Sequence, residues 1–169
     1  MTLPEFETIE YRNPALNLSM ICEEDDGEWT GEMPGPEGEI LVRLPASSAP
    51  APDEASLETL RWALARLPEL RREAMRFART DVLSDLNRWG SLDKDGKPYW
   101  ETYDEMRRWP EMDEAAFSAE FVLMGLIIPE EASESDCILG FHTEVDGEHG
   151  VGVLFRGGQP EQLEFWCNF

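Results

Sequence analysis

Positive charge is scarce in this sequence. Fourteen lysines and arginines stand against 36 aspartates and glutamates in 169 residues, a net charge of −22. A surface of that sign repels phosphate backbones and anionic headgroups, so nucleic acid and membranes are not expected as partners. Cysteine is sparse too: Cys22, Cys137 and Cys167 are widely spaced and form no Cys-x-x-Cys pair. That argues against a zinc site or a disulfide framework and for a reducing, cytoplasmic setting. No apolar run reaches the roughly 18 residues of a membrane span, and the longest is Phe121–Ile128. The opening Met1-Thr2-Leu3-Pro4-Glu5 has no basic segment ahead of an apolar one, so no signal peptide is expected. There is no GxSxG, no Walker sequence and no HExxH, so no catalytic group, cofactor or metal is expected.

What is present suffices for a core. A chain of this length is one domain by expectation and buries about two thirds of its unfolded surface. The acid excess is uneven. Residues 1–60 hold 14 acids and two bases, residues 61–108 nine acids and eleven bases, and residues 109–169 thirteen acids and one base. Two acidic flanks therefore enclose a balanced middle. Solubility alone accounts for such charge as readily as attraction of a basic partner does.

The pattern of residues predicts strands, then helices, then strands. Residues 1–45 read as N-terminal strands, broken at Asn13-Pro14 and turned at Glu23–Gly27. A hairpin follows, of Trp29–Met33 and Ile40–Leu44. The Pro/Ala-rich stretch 46–52 reads as a connector. Residues 53–116 read as mainly helical. Asp53 is the N-cap and Leu57, Leu60, Leu64 and Leu67 form one stripe. Pro68 breaks that helix, and a second runs from Glu69 to Trp89 before Gly90. A short helix over Tyr99–Trp109 ends at Pro110, and Asp113 caps one more turn through Ala116. Residues 117–169 read as strands: Phe117–Ile128, Cys137–Val145, Gly150–Phe155 and Gln162–Trp166. This order predicts a single α+β domain, an antiparallel sheet packed against a central helical layer.

Rare residue types crowd together near one turn. His142, Glu144, Asp146, Glu148 and His149 place two imidazoles and three carboxylates within eight residues. They could bind a divalent metal or pair an acid with a base. The plainer expectation is an acidic hairpin in which Asp146-Gly147 makes the turn and Glu148, His149, Gly150 and Gly152 shape it. Trp100, Tyr103 and Trp109 lie in a charged, loop-rich stretch and are candidate partner anchors, with core-edge packing as the plainer reading. Glu23, Glu24, Asp25, Asp26, Asp146 and Glu148 are candidate steering charges. Arg72, Arg76 and Arg79 share one helix face. Beside Glu69 and Glu73 they read as internal charge balancing rather than a nucleic-acid stripe.

The segment Glu148-His149-Gly150-Val151-Gly152-Val153-Leu154-Phe155, followed by Gly157-Gly158, resembles the signature of an uncharacterised bacterial family. That family is the domain of unknown function 6985, whose segment reads W-D-x-E-H-G-x-G-v-x-f. Trp29-Thr30-Gly31, the strand Ile40–Leu44 and the Pro-Asp-Glu helix start are similar to its front half. Val145 replaces the aromatic, and Gly147 separates Asp146 from Glu148. The resemblance implies an immunity or accessory protein near bacterial toxin or phage-defence genes, with no established activity. The expected function is a small acidic binding protein that occludes a basic toxin, for example a nuclease. One alternative is a metal-dependent or acid/base enzyme using His142, Glu144, Asp146 and His149; another is a non-catalytic accessory or regulatory protein. Oligomeric state is left open.

Overall fold

The computed structural model describes residues 8–23, 27–46, 50–84, 109–143 and 146–169; the side chains of residue 23 and residues 146–149 are outside that description. Strands β1 (Thr8–Asn13), β2 (Leu18–Glu23), β3 (Glu28–Pro34) and β4 (Glu39–Pro45) come first. Helices α1 (Glu54–Ala65) and α2 (Leu67–Ser84) follow. After a 3₁₀ turn at Trp109–Glu111 come α3 (Glu114–Ala119) and strands β5 (Phe121–Ile127), β6 (Cys137–Thr143), β7 (Asp146–Arg156) and β8 (Gln159–Phe165). The class is α+β in one domain, and the eight strands among the described residues lie in one sheet in chain order. No helix among the described residues is long and apolar enough to cross a membrane.

The sheet is mixed rather than purely antiparallel. β1–β4 and β5–β8 are two antiparallel meanders, but β4 and β5 pair in parallel. Helices α1, α2 and α3 lie between them in the chain, and β5 runs in the same direction as β4. A parallel pair needs a crossover between its strands.

Local chemistry explains most boundaries. The break at Asn13-Pro14 is present: Asn13 C=O and Oδ1 both accept from Leu16 N–H, and Asn17 takes φ 50°. Asp53 caps α1, its carboxylate accepting from Ser56 N–H at 2.9 Å and from Ser56 Oγ at 2.6 Å. The break expected at Pro68 is present just ahead of it: Pro68 has no N–H for Leu64 C=O, so α1 cannot run through it. The interruption is at Arg66, and Pro68 is the second residue of α2, where a missing N–H costs nothing because the first four helical donors have no partner within the helix. Asp113 caps α3 through Ala116 N–H at 2.8 Å. That helix runs to Ala119, so the strand expected from Phe117 begins at Phe121 instead. The expected continuation of the second helix to Trp89, the Gly90 stop and the helix over 99–108 lie outside the described residues.

One face of the sheet meets the helices. Leu57, Leu60 and Leu67 of the expected stripe are buried while Leu64 stays half-buried; Ala63 of α1 and Leu70, Ala74, Ala78 and Val82 of α2 are buried as well. They share one cluster with Met20, Val42, Leu126, Leu139, Val153 and Leu163, which sit on adjacent strands. Arginines staple the layers. Arg71 pairs with Glu37 at 2.7 Å, and Glu37 Oε2 also accepts from Leu123 N–H; Arg76 pairs with Glu114 at 2.7 Å. Arg79 donates to Met112 C=O at 2.8 Å.

Candidate functional site

The strand register generates two continuous side-chain rows on the face turned away from the helices, since alternate residues of a strand share a face. The first row reads Arg12, Ser19, Glu32, Leu41, Gly125, Gly140, Gly152, Glu164. The second reads Glu10, Ile21, Thr30, Arg43, Ile127, Ile138, Leu154, Gln162. Both change character at the β4–β5 joint. The first half is polar with isolated aliphatics. The second half is a glycine row beside an aliphatic row.

The glycine row is a trough for aromatics. A β-carbon at Gly125 would fall 2.7 Å from Trp166 Cζ2, one at Gly140 2.5 Å from Trp166 Cε3, and one at Gly152 2.6 Å from Phe169 Cε2. Only hydrogen fits beneath these rings. The chain turns at a 3₁₀ segment, Trp166–Asn168, and lays Trp166 and Phe169 over Ile127, Ile138 and Leu154 as a second, smaller apolar cluster. Trp166 was expected to end a strand; it begins this cap.

On β1–β4 nothing among the described residues covers the same face. Ile21 is 44% exposed. A groove of about 550 Å³ runs across all four strands, lined by Glu10, Arg12, Ile21, Glu32, Glu39 and Leu41 among others. Among the described residues its lining comes from β1–β4. Arg43, in the second row, is engaged by Glu28 at 2.8 Å.

The expected acidic hairpin is arranged differently. Thr143 pairs with Asp146, so Asp146 and Gly147 belong to β7 and do not form the turn. Glu148, His149, Gly150 and Gly152 are likewise strand residues, not turn residues. The register slips between Phe141 and Thr143, so residues 147–150 of β7 bulge opposite His142. Gly150 adopts φ +64° there, and a β-carbon on it would fall 2.7 Å from Phe141 C=O. His142 is exposed on β6. Glu144, and the side chains of Asp146, Glu148 and His149, lie outside the described residues. No group of three or more metal-ligating side chains is found among the described residues.

Of the aromatic candidates, Trp109 is corrected. It is 4% exposed and stacks in the core, with ring centroids 5.6 Å from Phe117 and 5.8 Å from Phe121. A ring enclosed by two phenylalanines of the next two elements has no face left for a partner. Trp100 and Tyr103 lie outside the described residues, as do Glu24, Asp25, Asp26 and the side chain of Glu23.

Two titratable groups stand out in the second meander. Burial would raise the Asp136 carboxyl. Hydrogen bonds outweigh it, from Gly157 N–H at 2.7 Å, Ser133 N–H at 3.1 Å, Arg156 Nη1 at 3.0 Å and Ser133 Oγ at 2.9 Å, and bring it to about 2. The carboxylate holds the two-residue turn Gly157-Gly158, whose positive φ angles of 55° and 74° suit glycine. Burial, with Asp136 adjacent, pushes the Cys137 thiol up to about 12. A thiol so held is a packing group, not a nucleophile.

No protein-family model, curated protein or solved structure significantly matches this chain. The class therefore stands on the fold itself: an α+β protein with a helical layer on one sheet face and a half-capped second face.

Proposed function

We propose that the protein is a small acidic binding protein that occludes a basic partner protein, in the manner of an immunity protein against a nuclease or other toxin. The supporting observation is the charge. The net −22 is concentrated in the flanks, residues 1–60 and 109–169, which contain the two meanders. A protein that handles phosphate must present cationic surface, and an acidic inhibitor gains association rate from it. Trp100 and Tyr103 remain proposed anchors, and Glu23, Glu24, Asp25, Asp26, Asp146 and Glu148 proposed steering charges; Trp109 is withdrawn.

The test is affinity capture from the source cells at low salt, then association rates of the captured partner against ionic strength. A basic partner is expected, with a rate that falls steeply as salt screens charges over about 10 Å at 0.1 M. The rate should also drop when the six steering acids are neutralised. A salt-independent rate would reduce the charge to a solubility feature.

A further inference from the structure

The open half of the outward face has the shape and charge of a docking surface. Glu10, Glu32 and Glu39 outnumber Arg12 along the groove, and Arg43 is already paired with Glu28, so negative charge remains uncompensated. Ile21 and Leu41 provide apolar points among these charges, Ile21 between Glu10 and Thr30 and Leu41 next to Glu32. The continuation of both rows is closed by Trp166 and Phe169, so a ligand on this face is confined to β1–β4. Four strands at about 4.8 Å spacing make a footprint about 14 Å wide. That width takes one helix of about 10 Å diameter. With strands of six or seven residues, about 20 Å long, the footprint is roughly 300 Å², smaller than the roughly 800 Å² per partner of a standard interface.

We propose that this half-face is where one cationic amphipathic segment of the basic partner docks, a proposal that rests on reading the protein as an acidic binder. Aliphatic side chains of the segment cover Ile21 and Leu41. Its lysines or arginines run their stems along the same strip and set their charges against Glu10, Glu32 and Glu39. The footprint makes this the specificity-giving part of a larger contact.

The test uses the full chain and a synthetic lysine–leucine peptide of about 16 residues in a helical amphipathic pattern, with a glutamate–leucine peptide as control, by titration calorimetry. The expected result is one-to-one binding of the lysine peptide only, weakened by salt. Ile21→Asp should lower its affinity about tenfold or more, and Ile21→Thr, which keeps β-branching and the fold, should lower it less. Glu10→Gln, Glu32→Gln and Glu39→Gln together should flatten the salt dependence. Val122→Asp, equally exposed but on β5, should leave affinity within about twofold. Binding indifferent to Ile21→Asp and to the triple variant would overturn this surface while leaving the basic-partner reading intact. No binding of the lysine peptide at any salt would likewise overturn this surface, while the basic-partner reading falls only if the captured partner's association rate is independent of salt.

Discussion

On β1–β4 the two outward rows carry Arg12, Ser19, Glu32 and Leu41 beside Glu10, Ile21, Thr30 and Arg43; on β5–β7 they carry three glycines beside Ile127, Ile138 and Leu154, beneath Trp166 and Phe169. Both halves start from the same difficulty, a sheet whose second face has no helical layer among the described residues. The first half answers with polar side chains that water can solvate. The second answers by removing side chains altogether, so that two rings lie on the backbone and the aliphatic row is dried. One half is thus built to be wet and available. The other is built to be closed, and its contribution is to stability.

That contrast can be broken at the cap. Trp166→Ala should cost about 3 kcal/mol, the lower end for a large aromatic because Trp166 is only partly enclosed; denaturant unfolding would measure it. A loss below about 0.5 kcal/mol would mean that the rings merely rest on the sheet. Next in size is the clamp behind the β7–β8 turn. Asp136→Asn should cost on the order of 2 kcal/mol at neutral pH, since the folded carboxyl sits at about 2, below its ordinary value. Because that folded value is depressed, the contribution is full above about pH 4 and is lost as pH falls through about 2. The wild type's unfolding free energy should fall through that window and converge on the variant's. Parallel curves would remove Asp136 from the account.

A smaller effect sharpens the comparison. Gly140→Ala should cost about 1 kcal/mol or somewhat more, because its methyl overlaps the Trp166 ring. In the Trp166→Ala background the penalty should vanish, and a double-mutant cycle reads that coupling directly. The smallest effect is expected on the open half: Ile21→Thr should change stability by less than about 0.5 kcal/mol, as for other exposed positions. A cost of 2 kcal/mol there would show that the half-face is covered after all.

The parts readable beforehand were those written in short-range chemistry. Asp53, Asp113, the Asn13-Pro14 turn and the apolar stripes of α1 and α2 each carry their signal within a few residues. The missed parts depend on residues far apart. Gly125, Gly140 and Gly152 lie on three strands and become a trough only once the register aligns them. Phe117 to Ile128 reads as one strand, yet the Asp113 cap carries its first residues into α3. Trp109 sits in a polar neighbourhood of the chain, and its burial is supplied by Phe117 and Phe121. The Asp146-Gly147 dipeptide is a strong turn signal, but pairing of Thr143 with Asp146 places the reversal ahead of it. The open groove has no motif, because its eight outward positions come from four strands.

The parallel joint between β4 and β5 also shapes how the molecule is assembled in time. Each meander pairs strands that are neighbours in the chain, and such local contacts close quickly. Leu41 meets Gly125 only after the long segment of chain between them has been gathered, and loop-closure entropy opposes that step. The joint is therefore expected to limit the folding rate. Val42→Ala, at the joint, should slow folding, whereas Met20→Ala, inside the first meander, should chiefly speed unfolding. Before that joint forms, the edges of β4 and β5 lack each other as partners, and the net charge of −22 opposes their pairing with another copy of the chain.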